Sequence, residues 1–355
     1  AGAATITATA ADGSGKSATC TVTVTGGTTP SQPGSSTGGS SGGSSSDRDS
    51  HDSNPVIKTE TKNNTDGSTT KTETRRDGSV TQTTTGKDGS VTKAETKKDG
   101  SSVTENKAAD GSTGTVKIDK NGQTEAAAKV SGKAVEDAKK NGEAVKVPVE
   151  VEATQNSSTA PTVSIELPKG AGETKVEIPV SNVTPGTVAV LVHPDGTEEI
   201  LKDSIPTEDG IQLTVDGSAT VKIVDNSKDF IDTRNHWSRD EVIDTQDHWA
   251  KDEIDFVSAR GLVNGMSATI YAPNASTTRA QLWTILARQN GADLNGGNTW
   301  YEKAQNWAKD KGVSDGANHN AAINRAQMVT MLWRAVGQPT AGGTANFTDV
   351  PTDSY

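Results

Sequence analysis

Aromatic residues are missing from the first two thirds of this chain. All six Trp, all three Phe and all three Tyr of its 355 residues lie at or after Phe230. Residues 1–229 must therefore build any core from Val, Ile, Leu and Thr, which predicts thin, extended β structure there and a compact core near the C-terminus. The apolar fraction is also low, at 30%. Cysteine is almost absent: Cys20 stands alone, which excludes an intrachain disulfide. No apolar run approaches the ~20 residues of a membrane helix. No leader segment is visible at the first residue, Ala1, and the chain reads as a fragment of a longer protein. Positive charge is in deficit, with a net charge of −11 and a pI near 5.0. That balance argues against nucleic acid as a main partner, because phosphate binding needs a basic surface, and it fits a soluble chain.

What is present is patterned. Residues 1–25 alternate (Ala4-Thr5-Ile6-Thr7, then Thr21-Val22-Thr23-Val24) around Asp12-Gly13-Ser14-Gly15, a hairpin signal. Gly15-Lys16-Ser17 is not a phosphate-binding loop: Ala10 stands where a Gly is required, and the segment after it reads as strand rather than helix. Residues 26–54, nearly all Gly, Ser, Thr, Pro and Asp, form a flexible linker with a reach of roughly 30 Å. Asp-Gly-Ser then recurs every 11 residues, at Asp66, Asp77, Asp88, Asp99 and Asp110, with Asn121-Gly122 in phase. Such pairs favour the positive φ of tight hairpin turns. Alternating Thr-rich segments between them predict an up-and-down meander with strands of about nine residues, ~30 Å long. A disordered polar stalk is the alternative.

A helical period follows over Ala126–Lys140, with Asn141-Gly142 as its stop. Period-two patterning returns at Val145/Val147/Val149/Val151, Val163/Ile165/Leu167, Val176/Ile178/Val180, Val188/Val190/Val192, Ile211/Leu213/Val215 and Val221/Ile223, which predicts a small β-sandwich.

The C-terminal third repeats itself. One copy runs Asp247-His248-Trp249-Ala250, Gly261-Leu262-Val263-Asn264-Gly265, Thr278-Arg279-Ala280-Gln281, Arg288. The next runs Asn298-Thr299-Trp300-Tyr301, Gly312-Val313-Ser314-Asp315-Gly316, Asn324-Arg325-Ala326-Gln327, Arg334. The front halves are offset by 51 residues and the back halves by 46. A third copy opens at Phe347-Thr348-Asp349-Val350. The opening motif is doubled, with Phe230-Ile231-Asp232 and His236-Trp237 preceding Val242-Ile243-Asp244 and His248-Trp249. The later one has the right distance to Gly261, and the earlier reads as a vestigial duplicate. Each copy reads as helix, loop, helix. Trp249, Ile254, Val257 and Leu262 are expected to face a core, and Leu282, Ile285 and Leu286 form a helical stripe. Thr278 and Asn324 sit at N-cap positions, which puts Arg279 and Arg325 in first turns, where a cation opposes the helix dipole. Two such placements point to an anion, either a ligand or a nearby Asp. The His pair lacks a third ligand at metal spacing, so no metal is expected.

This pattern resembles the S-layer homology domain over about residues 230–355. The resemblance rests on the His-Trp-Ala motif, the Gly-bounded turn, Tyr271-Ala272-Pro273, the Thr-Arg-Ala-Gln motif and the closing Arg. It implies three repeats in a pseudo-threefold spindle whose grooves bind secondary cell-wall polysaccharide, commonly capped by a pyruvate ketal. It also implies ligand contacts from Arg279 and Arg325, accompanied by Gln281, Gln327, Trp249 and Trp300. The planar guanidinium would pair with a carboxylate such as the ketal's. A structural role for both Arg residues stays open. The second copy departs from the pattern, lacking the aromatic-x-Pro loop and having Asn324 in place of Thr. Residues 1–25 similarly resemble the end of a bacterial immunoglobulin-like repeat.

The reading is a multidomain protein, β-rich in its N-terminal and middle regions and α-helical at its end. The expected parts are an Ig-like hairpin (1–25), linker (26–54), polar repeats (55–125), small sandwich with a short leading helix (126–228) and helical repeats (229–355). It would be a secreted surface protein anchored to a Gram-positive-type cell wall, with no cofactor and no catalytic constellation. The anchoring tail of a surface hydrolase, and an adhesin or S-layer subunit, are the alternatives.

Overall fold

The computed structural model describes residues 2–9, 17–24, 54–233, 248–340 and 342. The chain divides into two compact units, Ala1–Asp52 and Ser53–Tyr355. Most of the 26–54 linker, His236 with Trp237, Val242-Ile243-Asp244 and the third opening motif lie outside the described residues. In the first unit β1 (Gly2–Thr9) pairs antiparallel with β2 (Ser17–Val24), from Gly2 opposite Val24 to Thr9 opposite Ser17. This is the expected hairpin.

The second unit is built on an 11-stranded sheet. Seven strands, β3 (Val56–Asn63), β4 (Thr69–Arg75), β5 (Val80–Thr85), β6 (Val91–Thr96), β7 (Ser102–Lys107), β8 (Thr113–Ile118) and β9 (Thr124–Lys129), follow one another as an antiparallel meander. The polar repeats are therefore folded. Most of these strands have six residues rather than nine, about 20 Å. The rest of each period goes into the turn. At the first turn Gly67 donates its N–H to Asn64 O at 3.0 Å and takes φ +81°, the left-handed conformation that closes a three-residue hairpin loop. Asp66 Oδ1 accepts from Ser68 N at 2.9 Å and Ser68 Oγ at 2.8 Å. Each Asp-Gly-Ser thus carries its own staple, which is how a sheet with little apolar area holds its register.

The expected helix start at Ala126 is corrected. Residues Thr124–Lys129 are β9, and α1 begins at Gly132, capped by the Ser131 hydroxyl and ended by Gly142 at φ 72°. Ala126 and Ala128 are buried, because small side chains let β9 sit under the second sheet, so packing overrides alanine's helix propensity. The division drawn between residues 125 and 126 falls inside this strand. The sheet also continues across it: β9 pairs in parallel with β12 (Thr162–Glu166), followed by β18 (Ala219–Asp225), β14 (Thr187–Val192) and β15 (Glu198–Ile200).

A smaller sheet of β10 (Val145–Lys146), β11 (Val151–Glu152), β13 (Glu173–Ser181), β16 (Ile205–Pro206) and β17 (Gly210–Asp216) covers one face. Val116, Val163, Ile165, Val176, Ile178, Ile211, Leu213, Val221 and Ile223 share one buried core between the layers. Gly114 lets the chain between β10 and β11 approach the large sheet, since a Cβ there would lie 1.9 Å from Pro148 O. The sandwich is thus the covered end of the meander's own sheet.

Among the described residues four helices follow: α2 (Lys251–Ala259), α3 (Arg279–Gln289), α4 (Glu302–Asp310) and α5 (Arg325–Ala335). Arg260, 1% exposed, fastens α2 to the sandwich. Its guanidinium donates to Ser204 O, Thr187 O, Pro185 O and Phe256 O at 2.7–3.2 Å and lies 3.7 Å over the Phe256 ring. Burial lowers its pKa to about 10, which leaves it charged at neutral pH. No described helix is long and apolar enough to cross a membrane.

Candidate functional site

The two helical copies meet at their loop-to-helix junctions. Ile323 N donates to Thr277 O at 2.9 Å, Arg279 N to Ala321 O at 3.0 Å and Ala280 N to His319 O at 3.0 Å. The first free N–H groups of α3 are thereby taken by carbonyls of the second copy rather than left for an outside anion. The Arg279 side chain goes the same way. It is 8% exposed. Its Nε donates to Ala317 O at 2.8 Å, and its Nη2 reaches Ser314 Oγ at 3.0 Å and Asp315 Oδ1 at 2.5 Å. The N–H of Ala317 and the nearby guanidinium hold the Asp315 carboxyl below its usual range despite some burial. Of the two anions open to Arg279, a nearby Asp is the one it meets. Arg325, its equivalent, is exposed at the start of α5.

Gln281 and Gln327 complete capping boxes. Thr278 Oγ1 accepts from Gln281 N at 3.3 Å and Gln281 Oε1 accepts from Thr278 N at 2.7 Å. Asn324 and Gln327 repeat this at 2.9 and 3.4 Å. Both carbonyl oxygens therefore serve helix starts.

Between the copies lies a groove of about 610 Å³. Asn264, Tyr271, Gln281 and Arg288 of the first copy line it, and Trp300 reaches in from the second. Among the described residues Arg288 is the only charged one in its lining. Its Nη1 donates to Leu262 O at 3.1 Å, the one hydrogen bond its guanidinium makes among the described residues. Burial lowers its pKa. Trp300 is 62% exposed, packed edge-on against Tyr301 at 5.4 Å. Tyr271 is held from behind. Phe230, buried, meets its ring edge-on at 5.3 Å. Asp232 accepts from Tyr271 N at 3.0 Å and Ala272 N at 2.7 Å. Burial pushes the Asp232 carboxyl up, but these two N–H groups outweigh it and the pKa falls. The grip fixes Ala272 at φ 62°, a strained value for alanine. In the second copy Asn318 stands in its place at φ 56°, where a short amide side chain is better tolerated.

Phe230-Ile231-Asp232 is thus no vestige: it braces the loop that forms one wall of the groove. Trp249 is a second correction. Expected in the core, it is 86% exposed, with its ring tilted against His248 at 5.5 Å. Ile254 and Leu262 are buried as expected. The buried ring is Trp283, beside Leu282, Leu286 and Ala287, while Ile285 turns to the groove. Sequence reasoning named Arg288 as a motif end but gave it no ligand role. Its signal was the equal spacing from Arg279 to Arg288 and from Arg325 to Arg334, nine residues in each copy, which sets the closing Arg about half a turn round the helix from the first.

A family model for the S-layer homology domain matches residues 244–282. This domain is a binding module, and it indicates cell-wall or S-layer anchoring and a surface-associated protein. The matched stretch holds α2, the Gly-bounded turn, the braced loop and the start of α3. Comparisons with curated proteins and with solved structures find no match.

Proposed function

We propose that this chain is held non-covalently on the cell wall by its helical repeats, which bind secondary cell-wall polysaccharide in the groove between the first two copies. The observation that carries this is the groove lining. Trp300 and Tyr271 offer flat apolar faces for sugar rings, and Arg288 supplies a cation with no carboxylate beside it among the described lining residues. In a chain of net charge −11, a groove whose one charge among the described residues is positive suits an acidic glycan. A carboxylate such as a pyruvate ketal would pair with the Arg288 fork. Gln281 would add an amide N–H. Arg279, already paired inside the fold, would hold the two copies in register. Arg325, Gln327 and Trp249 lie outside this groove and would contact ligand only at further repeat junctions. The N-terminal hairpin, linker and continuous sheet would space upstream parts from the wall, and a secreted, Gram-positive-type setting fits this arrangement.

A sedimentation assay with purified wall sacculi tests the reading. The full chain should sediment with the wall, and a chain limited to residues 1–229 should stay in the supernatant. Equal sedimentation of the two would place binding outside the helical repeats.

A further inference from the structure

We propose that Asn264-Gly265 is a self-modifying pair, at which spontaneous deamidation puts a carboxylate into the groove that Arg288 lines. Asn-Gly is the step most open to this reaction, because glycine has no side chain to shield its nitrogen. The chain holds five such pairs, opening at Asn121, Asn141, Asn264, Asn290 and Asn295. The fold treats them differently. Gly122 N donates to Asp119 O at 3.0 Å, Gly291 N to Arg288 O at 3.1 Å and Gly142 N to Ala138 O, so these three attacking nitrogens are held. The Asn121 and Asn290 amides are tied as well, to Asp119 Oδ2 at 3.1 Å and Leu286 O at 2.8 Å. At Asn264 and Asn295 the side chain is exposed, and neither its amide nor the next N–H makes a hydrogen bond among the described residues. Of these two, Asn264 lines the groove and Asn295 does not.

The chemistry needs only water. Gly265 N attacks Asn264 Cγ, the bond from Cγ to Nδ2 breaks, and the proton of Gly265 N passes through water to the departing ammonia. A succinimide remains, and water opens one of its two imide C–N bonds to leave aspartate or isoaspartate. The fold cannot trade the glycine away: Gly265 takes φ 73°, and a Cβ there would lie 2.8 Å from both Ile270 O and Phe230 Cε1. It does accept the product. The equivalent pair in the second copy is Asp315-Gly316, already an aspartate, whose Oδ1 accepts from Ala317 N at 3.0 Å. Arg288, whose Nη1 reaches Leu262 O two residues before Asn264, would then share the groove with a carboxylate, and an acidic glycan would meet a neutralised site. That consequence rests on the groove reading above, whereas the modification itself does not.

Peptide mapping by mass spectrometry, on the full chain aged in mildly alkaline buffer, tests the modification. Asn264 and Asn295 should convert about fivefold faster or more than Asn121, Asn141 and Asn290, whose glycine N–H groups must first leave a hydrogen bond. Conversion of Asn264 no faster than these three would overturn the proposal. Calorimetry with isolated wall polysaccharide reads the consequence. Affinity should fall in step with conversion at Asn264, and Asn264→Asp should start about tenfold weaker than the fresh chain. Asn264→Gln, which removes the reactive pair, should hold its own starting affinity through ageing. Full affinity in Asn264→Asp where Arg288→Ala loses it would overturn the charge effect. Full affinity in both would count against the groove reading instead, and the peptide map would still decide the modification by itself.

Discussion

Arg279 and Arg325 hold the same place in a repeated motif and meet opposite surroundings. The first is buried against Ala317 O, Ser314 and Asp315 of the following copy, while the second lies in the open at the head of α5. The motif sets the position of the residue on its helix. What comes next in space sets its job. An arginine in a first helical turn is costly alone, and it becomes useful when the next copy brings a carboxylate and a carbonyl to it.

The largest expected effect on this comparison comes from Arg279→Ala. It removes two hydrogen bonds and an ion pair at the junction and should lower stability by about 1.5–3 kcal/mol. Arg325→Ala, at an exposed position, should stay within about 0.5 kcal/mol. Thermal melts of both variants measure the gap, and equal melting temperatures would erase the distinction drawn between the copies.

A smaller contrast lies in the caps. Gln281 Oε1 accepts from its N-cap N–H at 2.7 Å, and Gln327 does so at 3.4 Å. Gln281→Ala should cost about 0.5–1 kcal/mol and Gln327→Ala less. Urea midpoints at unchanged slope would report this.

The smallest effect is in pH. Asp315 has a folded pKa below its unfolded value, so its contribution is present above about pH 4 and is lost as pH falls through the folded pKa. Its counterpart in the first copy is Asn264, which does not titrate. Asp315→Asn should therefore flatten part of the acid limb of the stability curve. The turn aspartates Asp66, Asp77, Asp88 and Asp99, held low by the N–H and hydroxyl of their Ser partners, give the meander an acid limb of the same sign. That limb should survive the substitution, and an unaltered pH profile would deny Asp315 its role.

Local chemistry was the legible part of this sequence. The Asp-Gly-Ser period gave the meander because each turn needs a left-handed residue and a side-chain acceptor within four positions. The alternating Val and Ile residues gave the sandwich strands because every second side chain of a strand faces the same core. Two long-range facts were hidden. Glu125-Ala126-Ala127-Ala128 favours helix by propensity, and only the second sheet above it makes strand the better choice. The parallel pairing of β9 with β12 spans 37 residues at Glu125 and Thr162, so nothing local announces that repeats and sandwich share a sheet. The site was hidden in the same way. Trp300 and Arg288 belong to different copies, and the groove exists only once those copies pack. The motif residue that stood out, Arg279, serves that packing.

Titration calorimetry of isolated wall polysaccharide against the full chain, Arg288→Ala and Trp300→Ala tests the central claim most directly. The account predicts that Arg288→Ala loses about 1.5–3 kcal/mol of binding, roughly ten- to 150-fold in affinity, with an unchanged melting temperature. Trp300→Ala should also weaken binding, and Arg325→Ala should leave this groove's affinity unchanged. Full affinity in both Arg288→Ala and Trp300→Ala would contradict the assignment of the groove as the wall-binding site.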